Sequence, residues 1–220
     1  MRKPCCQHGA ARFAAAGALL AFCVSARAQP ANDDCADAMA LAGEGIIPFS
    51  NVGATTDGPS ACAEQGSDIW LSYVPQAPGS VAVSTCTPAL TFDTVIAAYY
   101  GCPSDPNDVR ALLACNDDAP ESSCPPGGST LRAPAGWTRV LIQLGGRDGQ
   151  QGTGEVVVTP CLADFDANGT VDLTDLAILL GDFGPCGGTA GPCATDLEGD
   201  GDVDLTDLAV LLGRFGTACP

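Results

Sequence analysis

Asp164-Phe165-Asp166-Ala167-Asn168-Gly169-Thr170-Val171-Asp172-Leu173-Thr174-Asp175 returns 32 positions later as Asp196-Leu197-Glu198-Gly199-Asp200-Gly201-Asp202-Val203-Asp204-Leu205-Thr206-Asp207. The match runs on through Leu-Ala-x-Leu-Leu-Gly-x-Phe-Gly, so residues 161–220 hold two copies of one supersecondary unit.

Each stretch of twelve carries side-chain oxygens at its first, third, fifth, ninth and twelfth places, glycine at the sixth and valine at the eighth. That is the donor pattern of an EF-hand calcium loop, in which glycine makes the turn and six to eight oxygens surround the ion. In the first loop Asp164, Asp166 and Asn168 offer side-chain oxygens, Thr170 its carbonyl, Asp172 a direct or water-mediated contact, and Asp175 a carboxylate. In the second loop the same roles fall to Asp196, Glu198, Asp200, Asp202, Asp204 and Asp207. Two Ca²⁺ ions are expected. Two departures loosen the pattern: the twelfth residue is Asp where the longer Glu is usual, and the third residue of the second loop is Glu. The placed glycines, the apolar Val171 and Val203 and the duplication itself argue against a merely solvated acidic surface.

After each loop, Leu173, Leu176, Ala177, Leu179 and Leu180, and likewise Leu205, Leu208, Ala209, Leu211 and Leu212, recur at helical spacing. One amphipathic helix is expected to leave each loop. Before the loops stand only Cys161-Leu162-Ala163 and Gly191-Pro192-Cys193-Ala194-Thr195, too short for the entering helix of an ordinary EF-hand. A loop followed by one helix, twice, over Leu162 to Phe215, resembles a dockerin domain. The resemblance implies a small all-α module folded on two Ca²⁺ ions that docks to a cohesin-like partner, often within polysaccharide-degrading assemblies. It also implies that Leu173, Thr174, Leu205 and Thr206 help choose the partner, and their identity in both copies implies docking in two orientations. Each copy ends in Phe-Gly and then a cysteine, similar to the cysteine-bearing dockerin variant of planctomycete-type bacteria.

Repeat symmetry allows two pairings of Cys161, Cys186, Cys193 and Cys219. Either each copy closes on itself, or Cys161–Cys219 joins the ends while Cys186–Cys193 pins the linker. The close termini of dockerins favour the second. A module of this size has a small core, so metal and disulfides are expected to supply much of its stability.

Residues 29–160 read differently. Short β-prone runs alternate with Gly, Pro, Ser and Thr, and strands are expected over 46–49, 69–74, 80–84, 94–100, 110–114, 139–144 and 155–159. That spacing predicts a jelly-roll or β-sandwich, with the domain boundary at Cys161. Trp70, Trp137 and Tyr99-Tyr100 serve either as core and rim packing or as a sugar-stacking platform. Asn32-Asp33-Asp34-Cys35, Gly66-Ser67-Asp68-Ile69-Trp70-Leu71-Ser72-Tyr73 and Phe92-Asp93-Thr94-Val95-Ile96 give this part a looser resemblance to pre-peptidase C-terminal modules, which accompany hydrolases without being catalytic. Cys115-Asn116-Asp117-Asp118 offers either an Asx turn or a third Ca²⁺ at Asp117 and Asp118.

Residues 1–28 have the form of a secretory signal: Arg2 and Lys3, an apolar run from Phe13 to Val24 too short to span a bilayer, and Ala26-Arg27-Ala28 for cleavage. The expected mature chain keeps five of nine basic residues against all 26 acids, a formal charge of about −21, so nucleic acid is excluded as a partner. It loses His8, the one histidine, which removes Ser-His-Asp and Cys-His catalysis and the usual zinc sites. Its ten cysteines suit disulfides in an exported, extracellular or cell-surface bacterial protein without a transmembrane segment. The expected function is a secreted, non-catalytic, calcium-dependent docking protein. The alternatives are a glycoside hydrolase, for which Glu44, Glu64, Glu121 and Glu155 are the glutamates outside the repeat, and a carbohydrate-binding accessory module.

Overall fold

The computed structural model of the chain describes residues 28–41, 43–104, 111–120, 124–187 and 193–219. Residues 1–27 of the expected leader, Arg110 of one expected strand, and Glu121 lie outside the described residues. Two sheets form a sandwich. The five-stranded sheet runs β1 (Met39–Ala40), β3 (Gln65–Tyr73), β8 (Val140–Arg147), β5 (Thr94–Tyr99), β6 (Leu112–Asn116). The four-stranded sheet runs β2 (Gly45–Ser50), β9 (Thr153–Leu162), β4 (Gly79–Ser84), β7 (Thr130–Ala135). All pairings are antiparallel except that of β1 with β3.

Alternation decides what lies between the sheets. Ile69, Leu71 and Tyr73 of β3, Val140, Ile142 and Leu144 of β8, and Ile96 and Ala98 of β5 meet Val81 and Val83 of β4, Leu131, Ala133 and Ala135 of β7, and Val156 and Val158 of β9. Burying one such branched side chain contributes roughly 1.5–3 kcal/mol before the entropy of ordering it. The opposite face of the five-stranded sheet is covered too: Trp70, Ala97, Tyr99 and Leu141 pack with Cys35 beneath the N-terminal segment. Disulfides Cys35–Cys102 and Cys62–Cys115 hold that cover down, and Cys86–Cys124 ties the rim. Trp70 and Tyr99 are therefore packing residues, 1% and 0% exposed.

The expected strands all fall on observed ones, and two strands of the sheets, the short β1 and β7, were missed. β7 carries Arg132 and Pro134, which break its apolar run, and the proline is tolerated because β7 is an edge strand. The same holds for Pro48 in β2 at the other edge. The division expected at Cys161 falls inside β9, which continues to Leu162 with Cys161 opposite Ser80 of β4.

Helices α1 (Leu173–Gly181) and α2 (Leu205–Arg214) follow the two loops. Each begins in a capping box, Asp172 with Asp175 and Asp204 with Asp207. The module is not purely helical. Strand β10 (Gly184–Pro185), after the first helix, pairs with β11 (Asp202–Val203) in the second loop, while Thr170 in the first loop bridges Ala218 after the second helix. The crossing is symmetric: Cys186 N donates to Gly201 O and Cys219 N to Gly169 O, both at 2.9 Å. Each loop is thus closed by the other copy's tail. Disulfides Cys161–Cys219 and Cys186–Cys193, with Cα separations of 5.8 and 5.4 Å, fix those tails. Val171, Leu179, Leu197, Val203 and Leu211 make a separate small core.

Candidate metal centre

β9 ends two residues before Asp164, so the sandwich delivers the first loop directly. In both loops backbone N–H groups pull the carboxylates inward. Asp175 takes Phe165 N (2.7 Å) and Asp166 N (3.2 Å) on one oxygen and Asp172 N (2.9 Å) on the other. Asp207 repeats this with Leu197 N and Asp204 N, both 2.7 Å. Asp166, Asn168 and Asp200 each accept an N–H from two residues on, at 3.0, 2.8 and 3.0 Å. Asp172 and Asp204 cap Thr174 N and Thr206 N. At the sixth place Gly169 and Gly201 have φ of +91° and +98°, where a side chain would strain the turn.

Asp164, Asp166 and Asp175 are brought together, with ligand oxygens within 4.8 Å of one another, and so are Glu198, Asp204 and Asp207. Oxygens around one Ca²⁺, each at about 2.3–2.6 Å, stand no more than about 5 Å apart, so both groups have the right size. Asp164 is buried, and its Oδ1 has no hydrogen-bond partner. A buried carboxylate oxygen left this way costs free energy unless a cation or a proton meets it. Burial pushes the Asp164 carboxyl above its usual range, against Ser80, Gly169 N and Arg132, which lower it. Desolvation and the charges of Asp200, Asp207 and Asp204 raise Glu198. The donor set, oxygen throughout and strongly anionic, suits a hard cation. Asp196 differs from Asp164: both of its oxygens are taken, by Gly199 N (2.7 Å) and Gly201 N (2.9 Å).

Around the expected third site, Arg147 forms a salt bridge with Asp117 and stands 3.8 Å from Asp118, so a cation of the protein's own already occupies that corner.

The residues expected to meet a partner are exposed. Leu173 and Leu205 are each 71% exposed, and Thr174 and Thr206 lie beside them in the first helical turns. Leu180, Phe183, Leu212 and Phe215 are also exposed, which the helical spacing alone did not separate from the core-facing Leu176, Leu179, Leu208 and Leu211. An apolar set wider than one packing stripe was the available signal. Ser80 and Arg132 of the sandwich had no sequence signal for this place, and Trp137 was expected only as a packing or sugar-stacking aromatic. Ser80 donates to Asp164 Oδ2 (2.5 Å), Arg132 stands 3.8 Å from the same oxygen, and Trp137 Nε1 donates to Asp196 O (2.8 Å).

Comparison with known proteins assigns no family: no family description matches the chain, and no curated protein does. Among solved structures, the pre-peptidase C-terminal domain of a collagenase from Bacillus anthracis is similar at a TM-score of 0.36 and 11% identity, over 55% of this chain and 93% of that one. The similarity is slight.

A cavity of about 750 Å³ opens beside Tyr73, Gln76 and Arg214, and Glu44 is the one acid in its wall. Asp57 and Asp68 are close but lie under the covered face of the five-stranded sheet. No helix among the described residues is long and apolar enough to cross a membrane.

Proposed function

We propose that this chain is an extracellular docking protein: a β-sandwich carried on a dockerin-type module that binds two Ca²⁺ ions and presents its helices to a cohesin-like partner. The observation that carries the calcium reading is the buried Asp164, whose Oδ1 has no partner and whose carboxylate is grouped with those of Asp166 and Asp175. The docking reading rests on that reading and on two matching exposed rows, Leu173, Ala177 and Leu180 on α1 and Leu205, Ala209 and Leu212 on α2. Apolar side chains at i, i+4 and i+7 on a solvent-facing side form a patch that water penalises and a partner's surface would relieve. The five disulfides agree with an oxidising compartment, and the sandwich then serves as the cargo or ligand-binding part.

The test is calorimetry of the full disulfide-bonded chain with Ca²⁺, followed by titration with purified cohesin modules in calcium and in chelator. Two ions per chain and calcium-dependent binding of one cohesin are expected. No calcium uptake sinks the reading. Calcium uptake with no cohesin bound in a broad panel keeps the metal sites and removes the docking role.

A further inference from the structure

The two loops are near copies, but the sandwich holds them by different chemistry. The first loop leaves β9 beside the outer face of β4 and β7, where Ser80 and Arg132 project. Arg132 cannot swing clear: Nη1 lies 3.4 Å from Ser80 Oγ and 3.8 Å from Asp164 Oδ2, and Nη2 donates to Cys219 O at 3.2 Å. Its guanidinium also lies over Gly169, where an added Cβ would stand 3.2 Å from Nε. The second loop meets the β7–β8 turn instead. There Trp137 donates to Asp196 O (2.8 Å) and its ring covers Gly199, where an added Cβ would stand 3.2 Å away. One loop is held by a fixed cation and the other by an uncharged indole.

We propose that the sandwich sets the order of calcium loading, Arg132 making the first loop the weaker, later site while the second loop fills first. The proposal rests on the calcium reading above. With Arg132 Nη1 3.8 Å from the Asp164 carboxylate, an ion held by that carboxylate at about 2.4 Å would sit on the order of 6 Å from the guanidinium. Unscreened repulsion between a single and a double positive charge at that range lowers affinity by about tenfold at the dielectric constant of water, and by less as salt is added. Charge count acts in the same direction. The first loop offers four ligand carboxylates, Asp164, Asp166, Asp172 and Asp175, and the second offers five, Asp196, Glu198, Asp200, Asp204 and Asp207. Calcium affinity in such loops follows ligand charge and rigidity. Without calcium, the same arginine offsets part of the repulsion among the first loop's acids, so that loop stays assembled while empty.

The experiment is calcium titration of the full disulfide-bonded chain by calorimetry, paired with Tb³⁺ luminescence excited through the indole of Trp137, which reports the second loop. Wild type is expected to show two one-ion classes at least tenfold apart, with sensitised emission complete at the first equivalent. Asp207→Asn is expected to abolish the tight class and Asp175→Asn the weak one. Arg132→Gln is expected to tighten the weak class about tenfold and leave the tight class unmoved, while Arg132→Lys keeps the wild-type separation because it keeps the charge. Equal classes in wild type, emission that waits for the second equivalent, or an Arg132→Gln variant whose weak class is unchanged or weaker overturns the proposal. Absence of any bound ion overturns the calcium reading itself.

Discussion

Replacing Asp68 by asparagine should make the protein's stability nearly independent of pH between about 4 and 7, where wild type should steadily lose it. Asp68 lies in the bulge between Gly66 and Ile69, on the covered face of β3 with Trp70. There it is fully buried, accepts from Gln143 Nε2 at 2.9 Å on one oxygen, and has no partner on the other. Burial raises its carboxyl from 3.8 to about 7; the Gln143 bond lowers it, and neighbouring Asp57 raises it further. Asp57 is itself held in place by hydrogen bonds from Trp70 Nε1 (2.7 Å) and Cys35 N (3.0 Å). A carboxyl whose folded pKa lies above its unfolded value binds more protons in the native state. Its contribution is therefore fully present below pH 3.8 and is lost as pH rises through about 7. Three pH decades at 1.36 kcal/mol each set an upper bound of about 4 kcal/mol. In Asp68→Asn the side-chain oxygen still accepts from Gln143 and the amide donates toward Asp57. Urea denaturation from pH 4.5 to 8.5, at fixed saturating calcium, should find the variant within about 1 kcal/mol of wild type at the acid end and up to about 4 kcal/mol more stable at pH 8. Parallel pH curves for the two proteins, or a variant weakened equally at every pH, would refute the buried-carboxyl argument.

Three further outcomes are expected. Leu180→Asp with Leu212→Asp should change folding stability by no more than about 0.5 kcal/mol per site, since both are exposed, yet abolish cohesin binding measured by calorimetry. Leu179→Ala or Leu211→Ala should cost about 2–5 kcal/mol in denaturant melts, since each is fully buried in the small C-terminal core. Ala167 holds φ +58° where the second loop has Gly199 at +78°, so Ala167→Gly should raise the melting point through a gain of about 0.5–1 kcal/mol.

What could be read from the sequence was local or periodic. Asp-rich loops with glycine in the turn, capping Asp172 and Asp204 before apolar runs, and β-branched alternation in β4 and β8 each depend on neighbours a few residues away. What stayed hidden depends on chain segments meeting across long separations. Ser80 reaches Asp164 because β4 pairs with β9, and Arg132 joins them because β7 pairs with β4. Nothing around Arg132 in sequence hints at a role beside an ion site; Pro134 even argued against the strand that presents it. Asp68 stood in the sequence only as part of Gly66-Ser67-Asp68-Ile69-Trp70-Leu71-Ser72-Tyr73, and only the cover tied down by Cys35–Cys102 and Cys62–Cys115 makes it a buried group.

Repeat symmetry and its loss act on different levels of the C-terminal module. The tails cross symmetrically, the capping boxes are the same, and the exposed leucines match residue for residue. A partner that reads the helix faces alone would meet two equivalent surfaces. Attachment to the sandwich breaks that equivalence underneath, where Arg132 bears on one loop and Trp137 on the other. Because each loop is closed by the opposite copy's tail, an ion filling the second loop would, on the proposed calcium reading, also firm the tail behind the first helix through the Cys186 N to Gly201 O bond. On the proposed reading, the first ion bound therefore orders both helices in part, and the second completes the pair. Docking that needs both faces should then follow occupancy of the first loop. Docking on one face should begin at the lower calcium concentration that fills the second.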